Sequence, residues 1–198
     1  MSYDLSMLQK RINRSIDKCQ IVDVDVYQLI KNLGKSLKKF KVKVQQYEVE
    51  TDYFSITAVY NFEKMKIDMY ICCNDDFMIT TKDEFNDLKF EISSTIQHEY
   101  VHREQYLNNK VEWQCDGIVD DSKEHEYYSN PEEIQAYAHD IMLELSKNNS
   151  AVEVLRTSDA ITLSDHYANY VNIFGSKNVV INKLLKHCYK FRNVKWVP

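Results

Sequence analysis

The sequence predicts an α+β domain in which a small antiparallel sheet lies between helices at the two ends of the chain. Apolar residues first recur at helical spacing, then at every second position from about residue 40 to residue 73, and again at helical spacing from about Asp87. With 198 residues, 44% of them hydrophobic, the chain can bury a core without disulfide support. We therefore expect one domain over residues 1–198, with its core at about 40–146 and a helical C-terminal extension at 150–198.

The first half of the chain contains two helical stripes followed by three alternating runs. The stripes that predict two opening helices are Leu5, Leu8, Ile12, Ile16 and then Leu29, Ile30, Leu33, Leu37. The alternating runs cover 40–44, 54–62 and 65–73, and each places its apolar residues on one face. We expect an antiparallel meander of three or four strands, with one side packed against helices. The third run could bind an extended peptide by main-chain pairing, although an ordinary buried strand explains the same residues.

The second half of the chain is predicted to be helical. A stripe of Leu88, Ile92 and Ile96 predicts a helix from about Asp87 to about Leu107. After a polar segment, 108–130, the next helix has clear start signals, with Asn130 as N-cap, Pro131 at the first helical position and Glu133 at the third. Two more helices are expected near 163–174 and 177–190.

Composition and charge exclude several classes of function. A net charge of −5 argues against a nucleic-acid partner, which would require clustered Lys and Arg, and no 18-residue apolar stretch predicts a membrane span. The one basic run, 35–43, is interpreted as a solvated junction between helix and strand. The N-terminus lacks the apolar run of a signal peptide, and the five cysteines form no Cys-x-x-Cys pair. We expect a cytoplasmic protein, in the host cytoplasm if the chain is viral.

The most informative short motif is His98-Glu99-Tyr100-Val101-His102. Histidines four residues apart on a helix project from one face about a turn apart, which allows both to bind one tetrahedral zinc ion. Glu99 lies on the adjacent flank, where its carboxylate can take a proton from a water whose pKa zinc lowers toward about 7. The alternative is an ordinary helix surface with two solvated or buried histidines.

A catalytic zinc site needs a third protein ligand and one open position. A metzincin would supply a histidine six residues after His102, but that position is Asn108, so this class is excluded. One solution is a later histidine, and the possible ligands are His125, His139, His166 and His187. The other solution is a glutamate from the following helix, and Glu133 lies 31 residues after His102.

The segment Tyr-Tyr-Ser-Asn-Pro-Glu-Glu-Ile-Gln-Ala-Tyr-Ala at 127–138 follows this motif. Together the two motifs resemble a group of small zinc peptidases, many from bacteriophages, that share a Pro-x-Glu-Ile-x-Ala-Tyr-Ala signature and look like minimal gluzincins. The resemblance covers about residues 60–146. It implies that Glu133, rather than Glu132, is the third zinc ligand, and that Tyr127 occupies the family's aromatic position.

Several residues near these motifs have two interpretations. Glu133 could instead complete a capping box with Asn130. Asp140, two turns further along the same helix, could orient a zinc-binding histidine or could be a surface carboxylate. For the donor that stabilises the oxyanion of the tetrahedral intermediate, Tyr127 is the first choice. The alternatives for this donor are His166, Tyr167 and Tyr170.

These observations predict a zinc-dependent endopeptidase that hydrolyses a peptide or protein substrate, with Glu99 as the general base. The predicted site residues are His98, His102 and Glu133 for zinc, with Glu99 and Tyr127 for catalysis. A second hypothesis is a zinc-containing binding or assembly protein that keeps the site but cleaves nothing. A third is a structural protein without a metal.

Overall fold

A computed structural model describes residues 5–19, 21–49, 54–109 and 123–197. The chain divides into two compact units, one ending at Arg103 and one running from Glu104 to Val197. Helices together with a small sheet confirm the α+β class. The expectation of a single domain over residues 1–198 stays a prediction.

The first unit contains two helices, a three-stranded sheet and most of a long third helix. Its elements are α1 (Leu5–Ile16), α2 (Val26–Leu37), a 3-10 turn (Lys38–Phe40), β1 (Val42–Glu48), β2 (Ser55–Asn61), β3 (Lys66–Cys73) and α3 (Lys82–Asn109). The two opening helices and the three strands are therefore confirmed. Because the division falls after Arg103, the last turns of α3 belong to the second unit.

The strand order is β1-β3-β2, with β1 parallel and β2 antiparallel to β3. The predicted antiparallel meander is therefore wrong. Alternation shows which face of each strand is buried, but it does not show which strands are neighbours. β3 is the most buried strand and takes the centre, so Ile67 pairs with Val42 on one side and with Tyr60 on the other. Since both edges of β3 are occupied, the suggestion that this strand pairs with a peptide is also wrong.

The core of the first unit lies between one face of the sheet and the helices. Ile67, Met69 and Ile71 of β3 are at most 1% exposed. They belong to one apolar cluster with the predicted stripes of α1 and α2 and with Leu88, Ile92 and Ile96 of α3. The expectation that one side of the sheet packs against helices is confirmed. This packing holds α3 firmly along the first half of its length.

Hydrogen bonds at the N-terminus of α3 explain why this helix begins five residues before the predicted Asp87. Oγ1 of Thr81 accepts from the backbone N–H of Glu84 at 3.2 Å, and Oε2 of Glu84 accepts from the N–H of Thr81 at 2.9 Å. This reciprocal pair is a capping box, which satisfies two N–H groups that the first helical turn leaves without partners. Hydrogen bonds from the N–H groups of Thr80 and Thr81 lower the pKa of the Glu84 carboxyl.

The second unit is helical throughout its described residues. After the last turns of α3 it contains α4 (Glu124–Ser129), α5 (Pro131–Lys147), a 3-10 helix (Val152–Arg156), α6 (Ala160–Leu163), α7 (Asp165–Phe174) and α8 (Val179–Lys190). The helices expected near 163–174 and 177–190 are confirmed. Residues 110–122 of the predicted polar segment lie outside the described residues, whereas 124–129 form a helix that the sequence did not predict.

The core of the second unit forms around α5 and α8. Ile141 and Leu145 of α5 join Leu184 and Cys188 of α8 in one apolar cluster, and all four are fully buried. Cys188 is an unpaired thiol, as are the other described cysteines. Among the described helices, none combines the length and the apolar character that crossing a bilayer would require.

Candidate metal centre

The middle of α3 carries His98, Glu99 and His102. Four residues advance an α-helix by slightly more than one turn, so the two imidazoles stand above one another. Their Nε2 atoms are 3.1 Å apart and their ring planes are inclined by 70°. His102 is 5% exposed and Glu99 is 6% exposed, so both polar side chains are withdrawn from bulk water.

The hydrogen bonds at the start of α5 show whether Glu133 belongs to a capping box. Asn130 is the N-cap, and its side chain accepts from the N–H of Glu132 at 2.9 Å. In a capping box Glu133 would accept from the N–H of Asn130, but that group donates to the carbonyl of Tyr127 at 3.1 Å. The cap is therefore made by Asn130 itself, and it does not account for the side chain of Glu133.

One hydrogen bond inside the second unit places the first turn of α5 beside the end of α3. Nε2 of Gln105 donates to the carbonyl oxygen of Glu132 at 2.9 Å. Gln105 follows His102 by three residues on the same continuous helix, so the two lie on the same side of α3. This bond places Glu133, the residue after Glu132, close to the last turns of α3.

His98, His102 and Glu133 form a cluster of three potential ligands, whose ligand atoms all lie within 4.8 Å of one another. Glu133 is 1% exposed. Among the described residues no other group of three His, Cys, Asp or Glu side chains meets the same criterion. Glu132 is not part of the cluster, which supports the register that the sequence motif gave.

The donor set and its spacing fit a metal ion. Two ligands about 2.1 Å from one ion at a tetrahedral angle stand roughly 3.4 Å apart, close to the 3.1 Å between the Nε2 atoms. Two imidazoles and one carboxylate are the donor set of catalytic zinc sites that keep a fourth position open. The same 3.1 Å also permits an N–H···N hydrogen bond between the rings, as expected for a histidine pair without a metal. The cluster can thus bind a metal ion, and zinc as its identity stays a proposal.

The four downstream histidines considered as ligands occupy other positions in the second unit. The ring of His125 packs against Phe174 at 5.0 Å, and that of His139 packs against Phe191 at 5.4 Å. Burial lowers the pKa of His187. Nδ1 of His139 lies 3.6 Å from Oδ1 of Asp140, the next residue. The role predicted for Asp140 in orienting a zinc ligand stays a prediction.

Tyr127 belongs to a group of tyrosines that surrounds the first turns of α5. Its ring centroid lies 5.0 Å from that of Tyr128 and 6.4 Å from that of Tyr137. The pKa of Tyr137 is raised well above its ordinary value, first by burial, then by the charges of Tyr127, Tyr128 and Glu133, and by a hydrogen bond with Tyr127. Sequence reasoning assigned Tyr137 no role, yet its position four residues after Glu133 indicates that the two side chains are neighbours.

The three alternatives to Tyr127 as the donor to the oxyanion have different hydrogen-bond partners. The hydroxyl of Tyr167 donates to the carbonyl of Leu155 at 3.2 Å, so it already has a structural partner. Nε2 of His166 lies 3.8 Å from Oε1 of Glu144. Tyr170 is fully buried, and its hydroxyl makes no hydrogen bond within the described residues. Burial, followed by the charge of Glu133, raises the pKa of Tyr170 far above its ordinary value.

Comparison with known proteins adds no family to these findings. No family model, curated protein or solved structure matches this chain. The resemblance of the two motifs to small zinc peptidases therefore stays a prediction. What is established is a three-residue cluster that can bind a metal ion, with a buried glutamate beside it on the same helix.

Proposed function

We propose that this protein is a zinc-dependent endopeptidase that hydrolyses a peptide or protein substrate. The observation that carries the proposal is the cluster of His98, His102 and Glu133, with ligand atoms within 4.8 Å. It is strengthened by Glu99, a buried carboxylate that lies between the two histidines in sequence and is not one of the clustered ligands. A metal site used only for stability does not require a further acid at this position, whereas hydrolysis requires a proton acceptor.

In this proposal three residues of the chain are metal ligands and a fourth is the general base. His98, His102 and Glu133 would hold zinc, which supplies Lewis acidity toward the scissile carbonyl and the attacking water. Helical geometry places Glu99 about 100° around α3 from His98, on the flank adjoining the ligand face. There Glu99 accepts the proton of the attacking water and passes it to the leaving amine. Burial of this carboxylate at 6% exposure keeps bulk water from competing for that proton.

We also propose Tyr127 as the donor to the oxyanion. Its ring centroid lies 6.4 Å from that of Tyr137, which follows Glu133 by about one helical turn, and this supports a place for Tyr127 near the third proposed ligand. In this proposal the Tyr127 hydroxyl would donate its proton to the oxyanion. Tyr137 in turn is held neutral by its surroundings, because burial and the charge of Glu133 both oppose its ionisation.

Metal content and cleavage test the proposal together. Elemental analysis of the purified protein should give one equivalent of zinc, and a broad peptide library should be cleaved. A chelator should abolish cleavage, and added zinc should restore it. Zinc without cleavage of any peptide would contradict the peptidase and leave a binding or assembly protein. A folded protein with no metal would contradict the metal site as well.

A further inference from the structure

The first unit contains a cavity of about 210 Å³ at the edge of the sheet where the parallel strands β1 and β3 begin. None of the nine described residues that line it is acidic. The chain as a whole has a net charge of −5, so a local excess of cations is a property of this site. Four of the nine residues are cationic, namely Lys39, Lys41, Lys66 and Arg103.

A fifth cation lies close to the lining of the same cavity. The guanidinium carbon of Arg11, on α1, lies 5.7 Å from the ring centre of Phe40, which is a lining residue. Nζ of Lys39 lies 5.2 Å from the same ring centre. Contacts of this kind hold cations without cancelling their charge. Two like charges are therefore held at one ring, where an anion between them would relieve their repulsion.

Acidic side chains neutralise only part of this charge. Nζ of Lys66 pairs with Oδ1 of Asp68 at 2.7 Å. Arg11, Lys39 and Lys41 form no ion pair within the described residues. The cavity and its surroundings therefore favour an anionic occupant.

The lining combines accessible cations with buried apolar groups. Lys39 and Lys41 are exposed, which leaves their ammonium groups able to turn toward an incoming anion. Lys66 and Arg103 are half-buried, and a cation withdrawn from water forms a stronger ion pair than one in bulk solvent. Four further lining residues are at most 9% exposed, namely Phe40, Tyr60, Ile67 and Tyr100.

The backbone at the cavity is strained at two lining residues. Lys41 has φ 58° and Met65 has φ 49°. Left-handed backbone of this kind costs a non-glycine residue roughly 1–2 kcal/mol and is often kept at functional sites. The N–H of Lys41 donates to the carbonyl of Lys38 at 2.9 Å, and its carbonyl accepts from the N–H of Ile67 at 3.0 Å. Backbone bonds thus hold Lys41 in place, and they do not depend on its charge.

The cavity is separate from the candidate metal centre. On α3, Tyr100 lies roughly 180° and Arg103 roughly 120° around the helix axis from the direction shared by the two clustered histidines. The cavity is therefore on another side of this helix from the proposed ligands. We expect a molecule bound there to be held independently of any metal ion.

We propose that this cavity binds a small phosphate ester. A phosphate group carries about 1.5–2 negative charges at pH 7 and three acceptor oxygens, so several cations can donate to it at once, whereas a carboxylate carries one charge. An apolar cavity of about 150 Å³ holds a benzene molecule. A volume of about 210 Å³ thus accommodates a phosphate group and a few carbon atoms, which the buried apolar residues would contact. This inference goes beyond the proposed peptidase and does not depend on it.

Titration calorimetry on the metal-free full-length chain tests this site, because without zinc the phosphate cannot bind at the metal centre instead. The probes are glycerol 3-phosphate and glycerate, which carry a phosphate and a carboxylate on short polyol stems. Glycerol 3-phosphate should bind with a Kd at least about tenfold lower, since it accepts at least one more charge-assisted hydrogen bond. Lys39→Gln and Lys41→Asn should each weaken its binding about tenfold, and Asn tolerates the left-handed backbone of position 41.

The matched control is Lys38→Gln, which removes an exposed charge from the same 3-10 turn without altering the lining of the cavity. It should bind glycerol 3-phosphate as wild type does. Equal losses in Lys38→Gln and Lys39→Gln would overturn the site, because they would indicate only a general attraction between charges. Absence of binding, or equal binding of glycerate, would also overturn it. Binding of a short DNA duplex without binding of glycerol 3-phosphate would overturn it in favour of a nucleic-acid surface.

Discussion

Nε2 of Gln105 lies 2.9 Å from the carbonyl oxygen of Glu132 and donates a hydrogen bond to it. Gln105 is 7% exposed, so water does not readily replace this bond. The bond holds the first turn of α5, and with it Glu133, beside the end of α3. We predict that Gln105→Met, which keeps the length of the side chain but removes the amide, weakens zinc binding by about tenfold.

Competition with a chromogenic chelator measures this effect. The matched control is Asn108→Met, which changes an exposed amide in the same last turn of α3. Helix content should be unchanged in both variants. Zinc affinity that is equal in wild type and Gln105→Met would show that this bond does not position Glu133.

The histidine pair is tested by removing each ring separately. His98→Ala and His102→Ala should each lose the equivalent of zinc, because two remaining ligands hold the ion far more weakly than three. His125→Ala, which removes a ring packed against Phe174 outside the cluster, should retain it. Elemental analysis after dialysis gives the comparison. A full equivalent of zinc in both motif variants would rule out the proposed centre.

Replacement of each glutamate at the start of α5 tests the register of the third ligand. Glu133→Gln replaces a charged ligand with a weaker neutral one, so zinc affinity should fall clearly. Helix content should change little, because Asn130 rather than Glu133 caps this helix. Glu132→Gln should bind zinc as wild type does. If Glu132→Gln lost zinc and Glu133→Gln did not, the assignment would be wrong by one residue.

Removing the hydroxyl group from each of two buried tyrosines in α7 should affect the free energy of unfolding differently. The Tyr170 hydroxyl makes no hydrogen bond within the described residues, so Tyr170→Phe should leave stability unchanged or raise it by up to about 1 kcal/mol. The Tyr167 hydroxyl donates to the Leu155 carbonyl, so Tyr167→Phe should cost about 1 kcal/mol. Denaturant unfolding measures both free energies. A clear loss of stability in Tyr170→Phe would reveal a partner for this hydroxyl.

Helical periodicity predicted more of the fold than strand alternation did. The stripes of α1 and α2 identify their buried faces, because a helix face follows from spacing along one segment. Alternation in β3 likewise identifies its buried face, but strand neighbours depend on contacts between distant segments. A strand order of β1-β3-β2 therefore could not be read from the runs. The early start of α3 was predictable, since Thr81 and Glu84 have the spacing of a capping box.

In the candidate site, too, features that depend on one helix could be predicted from the sequence, whereas contacts between distant segments could not. His98 and His102 were predictable because their geometry depends on one helix. Glu133 was proposed from the motif at the start of α5, and spacing alone left the downstream histidines open as ligands. The contact between Gln105 and Glu132 could not be predicted, since an amide that reaches a backbone carbonyl leaves no pattern in the sequence.

Glu99 tests function rather than metal binding. It is not one of the three clustered ligands, so Glu99→Gln should keep zinc and folding close to wild type. If Glu99 carries the proton from the attacking water to the leaving amine, its loss should slow cleavage by roughly 10²–10⁴-fold. A binding protein with the same zinc site would have no turnover to lose.

The most direct measurement of the central claim is therefore kcat/KM of zinc-loaded wild type and zinc-loaded Glu99→Gln on the same cleaved peptide. Zinc content is determined on the same samples, so that loss of metal is not mistaken for loss of the base. We predict one equivalent of zinc in both proteins and a fall in kcat/KM of at least about a hundredfold in the variant. Zinc-dependent cleavage at a near wild-type rate in Glu99→Gln would contradict the account.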